Sequence, residues 1–238
     1  MSPLGSSSKA WIAPANKILG EIKDGEIVSL ILYSDGKIIL DDPGAQPKVP
    51  SSGKGGAGAV TFRGAVLKRN KGEFSFVCPD RGIHEQVEKS LSKATPKGAK
   101  ITDAKPIPHA LNSWDKIYGD TDGRLRLFSF AASELSPEPY EFLEFIRYGR
   151  MNDSDAYRVF IADNSPRQLN LTPDKDQRDQ LVVMTEAKSI LRRNAERIAP
   201  LPDPKEVKKA YADIQKYIAQ MQAKDVMTRF PPSPYFGG

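Results

Sequence analysis

The first legible pattern along the chain is alternation. Residues 18–41, ILGEIKDGEIVSLILYSDGKIILD, switch between apolar and polar positions on either side of Asp35-Gly36. Asp-Gly between two β-branched runs suits the tight turn whose twist matches that of paired strands, so the stretch predicts a β-hairpin. Two more strand-like runs, AVTFRGAVLKR (59–69) and EFSFVCP (73–79), flank the turn residues Asn70-Lys71-Gly72. Residues 83–93 change period, with Ile83, Val87 and Leu91 one helical turn apart. Residues 99–108 predict a short extended piece closed by prolines, and 43–58, rich in Pro, Gly and Ser, a flexible loop.

After Pro108 glycine thins out and helical periodicity takes over. In 204–225, Val207, Tyr211, Ile214, Ile218 and Met221 form one apolar stripe. Residues 184–198 are rich in good helix formers. A helix over 138–148 has its start signals in place: Ser136 as cap, Pro137 in the first turn, and acidic residues near the positive end of the dipole. The expected fold is α+β, with a small β-rich unit at 1–108 followed by an all-α bundle at 110–238.

With 238 residues, 39% of them hydrophobic, the chain can bury a substantial core. The longest apolar run, Ile27–Tyr33, is far too short for a bilayer, and MSPLGSSSKAW has no apolar signal-peptide region. The expectation is a cytoplasmic protein, with contact at the membrane periphery left open. A single cysteine, Cys78, precludes an internal disulfide. With His84 and His109 far apart, a His/Cys zinc site is not expected, nor any cofactor. The net charge of +5 belongs to the N-terminal half: residues 1–110 hold 16 Lys and Arg against 11 Asp and Glu. These lysines form no stripe interleaved with aromatics, so nucleic acid is not an expected partner.

Three motifs invite a site and fall short. GKGGAG (53–58) is followed by Ala59-Val60, without the Lys-Ser/Thr pair a phosphate loop needs. Asp120 and Asp122 alternate like calcium ligands, but Arg124, Arg126 and Leu127 follow, so a solvated turn is expected there, as it is for Asp41-Asp42. No Ser-His-Asp or Cys-His set suggests hydrolysis, so hydrolytic enzyme chemistry has little to work with.

One constellation stands out. Ser113, Trp114, Asp115 and Lys116 are followed by Gly123, Phe130 and SELSPEPYEFL (133–143). Then come AYRVFIADNSPRQLNLT (156–172) and IQKYIAQMQAKDVMTRFPPSPYF (214–236), where Asp225, Arg229 and Phe230 keep an Asp-x-x-x-Arg-Phe spacing. In this order the blocks resemble the regulator of G-protein signalling (RGS) domain family, across most of 113–236. The resemblance implies a helical bundle that binds the switch segments of a heterotrimeric G-protein α subunit. Such a domain accelerates GTP hydrolysis by holding those segments in their transition-state shape, adding no catalytic acid or base. Carried over by position, the contact residues are Glu134, Ser136, Glu138, Pro139, Asn170, Asp225 and Arg229. Pro139 stands where the family has a switch-contacting Asn, and Asp225-Val226 where it has Asp-Ser, which implies weakened or absent acceleration. The alternative is an inactive RGS-like scaffold or an interaction module for another partner. Read alone, Ser136 and Glu138 suit helix capping, Asp225 and Arg229 an intrahelical ion pair, and Asn170 a side-chain-capped turn.

Overall fold

The computed structural model describes residues 19–33, 38–40, 61–77, 91, 99–103, 113–134 and 136–229. Two compact units divide the chain, the second spanning Glu138–Phe230. The fold is α+β, as expected. The division between units is not at 108–110, however. It falls at Pro137, because the second of two helices that follow Pro108 packs on the sheet and the first packs on the second.

The first unit is built on a five-stranded sheet in the order β2-β1-β3-β4-β5. The strands are β1 (Ile27–Tyr33), β2 (Ile38–Leu40), β3 (Thr61–Lys68), β4 (Phe74–Val77) and β5 (Ile101–Asp103). β1 and β2 pair antiparallel with Leu32 opposite Ile38, the hairpin the alternation predicts, although its Asp35-Gly36 turn lies outside the described residues. β1 also pairs with β3, Ile27 opposite Leu67, and β3 with β4 across the short 3-10 turn Asn70–Gly72. β5 lies parallel to β4, with Phe74 opposite Ile101. Leu91, in the run read as helical, is helical and buried.

Consecutive residues Val28–Leu30, Ala65–Leu67 and Phe74–Val77 are all buried, so the sheet is covered on both faces. One cover is α2 (Thr121–Ser133), which follows α1 (Trp114–Gly119) and packs on β1, β3 and β4. α2 buries Leu125, Leu127, Phe128, Phe130, Ala131 and Ala132, more than one face of a helix, and so carries no single apolar stripe to betray it in sequence. Its start corrects the reading of 120–122 as a solvated turn. Asp120 caps the helix, its carboxylate accepting from the Gly123 amide at 2.7 Å. Asp122 is buried and paired with Arg69.

The second unit holds α3 (Glu138–Tyr148), α4 (Asp153–Ala156), a π-helical turn (Tyr157–Ile161), α5 (Arg178–Glu196) and α6 (Pro204–Arg229). α5 packs along α6, and α4 and the π turn pack on α5. The expected stripe of α6 is its buried face: Val207, Tyr211, Ile214 and Ile218 are buried and Met221 half-buried. Phe142 sits edge-on to Phe160 at 5.6 Å and 6.2 Å from Tyr211, tying α3, the π turn and α6 together. α6 opens with a reciprocal cap. Glu206 accepts from the Asp203 amide at 2.8 Å and Asp203 from the Lys205 amide at 2.6 Å, with Pro204 in the first turn. No helix among the described residues is long and apolar enough to cross a membrane.

Gly123 is where α2 meets α1 most tightly. A Cβ there would collide with the Ile117 carbonyl oxygen. Gly123→Ala should therefore destabilise the first unit by about 3 kcal/mol, the upper range for overpacking. Urea unfolding followed through the fluorescence of buried Trp114 would show this as a lower midpoint at unchanged slope.

Candidate functional site

The stretch SELSPEP links α2 to α3, and Leu135 within it lies outside the described residues. Glu134 ends α2, its amide donating to the carbonyls of Phe130 at 3.1 Å and Ala131 at 3.2 Å. The Ser136 amide reaches back to Ala131 at 3.0 Å. Ser136 therefore closes the preceding helix through its backbone, and α3 begins two residues later, at Glu138. Glu134 and Ser136 are exposed, while Glu138 and Pro139 are half-buried in the first turn of α3, where Pro139 needs no amide partner.

Asn170 is exposed, and its side-chain oxygen accepts from the Thr172 amide at 3.3 Å, the capped turn the sequence suggests. Asp225 and Arg229 pair with one another along α6, through Nε at 3.2 Å and a second guanidinium nitrogen at 2.6 Å. Glu134 and Ser136 belong to the first unit, and Glu138, Pro139, Asn170, Asp225 and Arg229 to the second.

The strongest electrostatic feature of the second unit was not anticipated. Arg167 donates to both carboxylate oxygens of Glu141, at 2.5 and 2.6 Å, with both side chains buried. Glu141 projects from α3 among Tyr140, Phe142 and Leu143, all buried. The only sequence signal was a carboxylate inside the apolar run YEFLEF, which does not reveal a partner 26 residues away. Arg167 is positioned by the π turn. A π turn bonds five residues back, here Ala162 to Tyr157 at 2.8 Å. The Val159 and Phe160 carbonyls accept from the Arg167 and Leu169 amides at 3.1 and 2.8 Å.

A groove of about 520 Å³ opens between the end of α3 and the start of α6. Its floor is Phe145, Val207, Tyr211 and Pro202, all buried. Polar side chains on its lining are Asp153, Asn194, Lys208 and Gln215. None of the residues expected to contact a partner lines it. The Tyr211 hydroxyl donates to the Asp153 carbonyl at 2.7 Å and fixes α4 against α6. Burial, and then the charge of Asp153, pushes its pKa well above the ordinary 10.0, and burial raises those of Tyr157 and Tyr217 as well.

In the first unit a polar chain runs from Asp122 through Arg69 to Ser75, with Arg69 Nε donating to the Ser75 hydroxyl at 2.7 Å. Ser75 meets the Thr102 hydroxyl at 3.2 Å, joining β3, β4 and β5 to α2. Among the described residues no group of three or more His, Cys, Asp or Glu is placed to hold a metal. Cys78, His84, His109 and the GKGGAG segment lie outside the described residues. No protein-family model matches the chain, and no curated protein matches it.

Two ion pairs of opposite weight follow. Arg167→Ala strands the Glu141 carboxylate in the core and should cost about 3–5 kcal/mol. Asp225→Ala removes an exposed i, i+4 pair and should cost about 0.5 kcal/mol or less. Chemical denaturation of the two variants side by side tests the contrast.

Tyr211 predicts a pH dependence. In the unfolded chain its hydroxyl ionises near the ordinary 10.0, while in the fold it keeps its proton to higher pH. Above that value the unfolded state holds fewer protons, so stability is full below it and falls as pH rises. Tyr211→Phe should cost about 1 kcal/mol at neutral pH through the lost hydrogen bond. Its stability should fall less steeply than wild type in alkaline titrations monitored by circular dichroism.

Proposed function

We propose that this chain is a regulatory protein-interaction module that docks on the switch segments of a heterotrimeric G-protein α subunit, without supplying catalytic groups of its own. The observation that carries this is the combination of the three RGS-like sequence blocks with the accessibility of the residues they single out. Glu134, Ser136, Asn170, Asp225 and Arg229 are exposed, and Glu138 and Pro139 are partly so. A partner's switch segments can reach such side chains without unfolding either core. Because the α subunit carries its own arginine finger and water-orienting glutamine, a partner that only holds the switches in place suffices for acceleration.

Two observations favour docking without strong acceleration. Pro139 offers no side-chain amide to hold the water-orienting glutamine. Asp225 and Arg229 satisfy one another, so a partner must compete with their ion pair.

The test is binding of the full chain to a panel of α subunits loaded with GDP, or with GDP and aluminium fluoride, which mimics the transition state. Selective binding to the fluoride form, with little change in single-turnover GTP hydrolysis, is the expected outcome. Pro139→Asn should then raise the hydrolysis rate about tenfold, the worth of one well-placed hydrogen bond. Absence of binding in both states would overturn the G-protein assignment.

A further inference from the structure

The groove between α3 and α6 is lined by none of the residues proposed to contact a G-protein α subunit. Its floor is apolar and aromatic, and the loop that brings in Pro202 also exposes Leu201 at 64% and Ile198 at 40%. Large apolar side chains left exposed beside an apolar groove mark an interaction surface more clearly than scattered ones do.

The stretch of chain that supplies its α6 wall is unevenly charged. Residues 192–209, which run from the end of α5 into α6, hold six Lys and Arg against three Asp and Glu. All three acids already have intramolecular partners. Glu196 pairs with Arg192, and Asp203 and Glu206 cap α6. Lys209 is met by Asp213. Arg197, Lys205 and Lys208 pair with no carboxylate among the described residues, and Lys208 lines the groove itself. Asp153 is the one carboxylate on the lining, and it stands on the α4 wall. The α6 wall of the groove therefore presents apolar surface next to Lys208, which pairs with no carboxylate among the described residues.

We infer that this groove binds a short acidic, amphipathic segment of a partner protein, with apolar side chains on the Phe145–Val207–Tyr211 floor and Asp or Glu against Lys208. A basic segment gains the floor but is repelled at Lys208. The inference does not rest on the G-protein assignment, because none of the residues assigned to that partner lines the groove.

The experiment is selection of a phage-displayed library of random short peptides on the full chain, followed by binding of the selected peptides to variants. Ala212→Arg puts a bulky side chain on an exposed lining position of α6 without touching the floor. Lys208→Glu reverses the unpaired charge, and Lys216→Glu, exposed on α6 and off the lining, is the control. The expected result is enrichment of peptides combining Leu, Ile or aromatic residues with Asp and Glu. Their binding should disappear with Ala212→Arg, survive Lys216→Glu, and weaken about two- to fivefold with Lys208→Glu, as loss of an exposed pair implies. Circular dichroism of each variant verifies that the fold is kept. No enrichment, enrichment of basic peptides, or equal binding to Ala212→Arg would each overturn the inference. So would concentration-dependent self-association abolished by Ala212→Arg, which would assign the groove to a second copy of the chain.

Discussion

A charge taken out of water must find a partner, and each unit of this protein is organised around one such requirement. In the second unit, Glu141 enters the core on the apolar face of α3, and Arg167 neutralises it. The Phe142 and Phe145 cluster forms on the same helix, so the register that buries the aromatics also buries the carboxylate. Once Arg167 is fixed, the chain after the π turn has no freedom to leave. Its amides fill the Val159 and Phe160 carbonyls, and Leu169 and Leu171 drop into the core. In the first unit, Asp122 and Arg69 serve the same end between α2 and the sheet.

This organisation separates the residues that hold the fold from those proposed to meet a partner. The buried Glu141 carboxylate is held through both oxygens by Arg167, with little capacity to bind anything else. The side chains singled out for partner contact sit at helix ends and turns, where local bonds such as that of Asn170 to the Thr172 amide set the backbone and leave the surface accessible. The groove above Phe145 and Tyr211 is different. There Glu196, Asp203 and Glu206 are engaged in a helix pair and a cap, and Lys208 stands on the lining beside apolar surface.

Elements with a strong local signal were legible in the sequence. The stripe of α6, the hairpin of β1 and β2, and the strands around Asn70–Gly72 stand close to their expected positions, because alternation and helical period are imposed by burial of one face. α2 carried a weak signal because it is buried on several sides, and Asp122 and Arg124 then look like solvent-facing charges in a turn. The candidate site was legible only residue by residue. Asp225 with Arg229 and Asn170 with Thr172 are neighbours in sequence, so their local bonds were foreseeable.

The sequence by itself determined which segments become strands and helices, since those preferences act over a few residues. The tertiary structure alone decided that α1 and α2 side with the sheet, that Glu141 meets Arg167, and that Phe145, Pro202 and Lys208 border one groove. The physical reason is common to all three. Each depends on contacts between residues far apart in the chain, whose partners are selected by packing and charge neutralisation, and no local pattern encodes either.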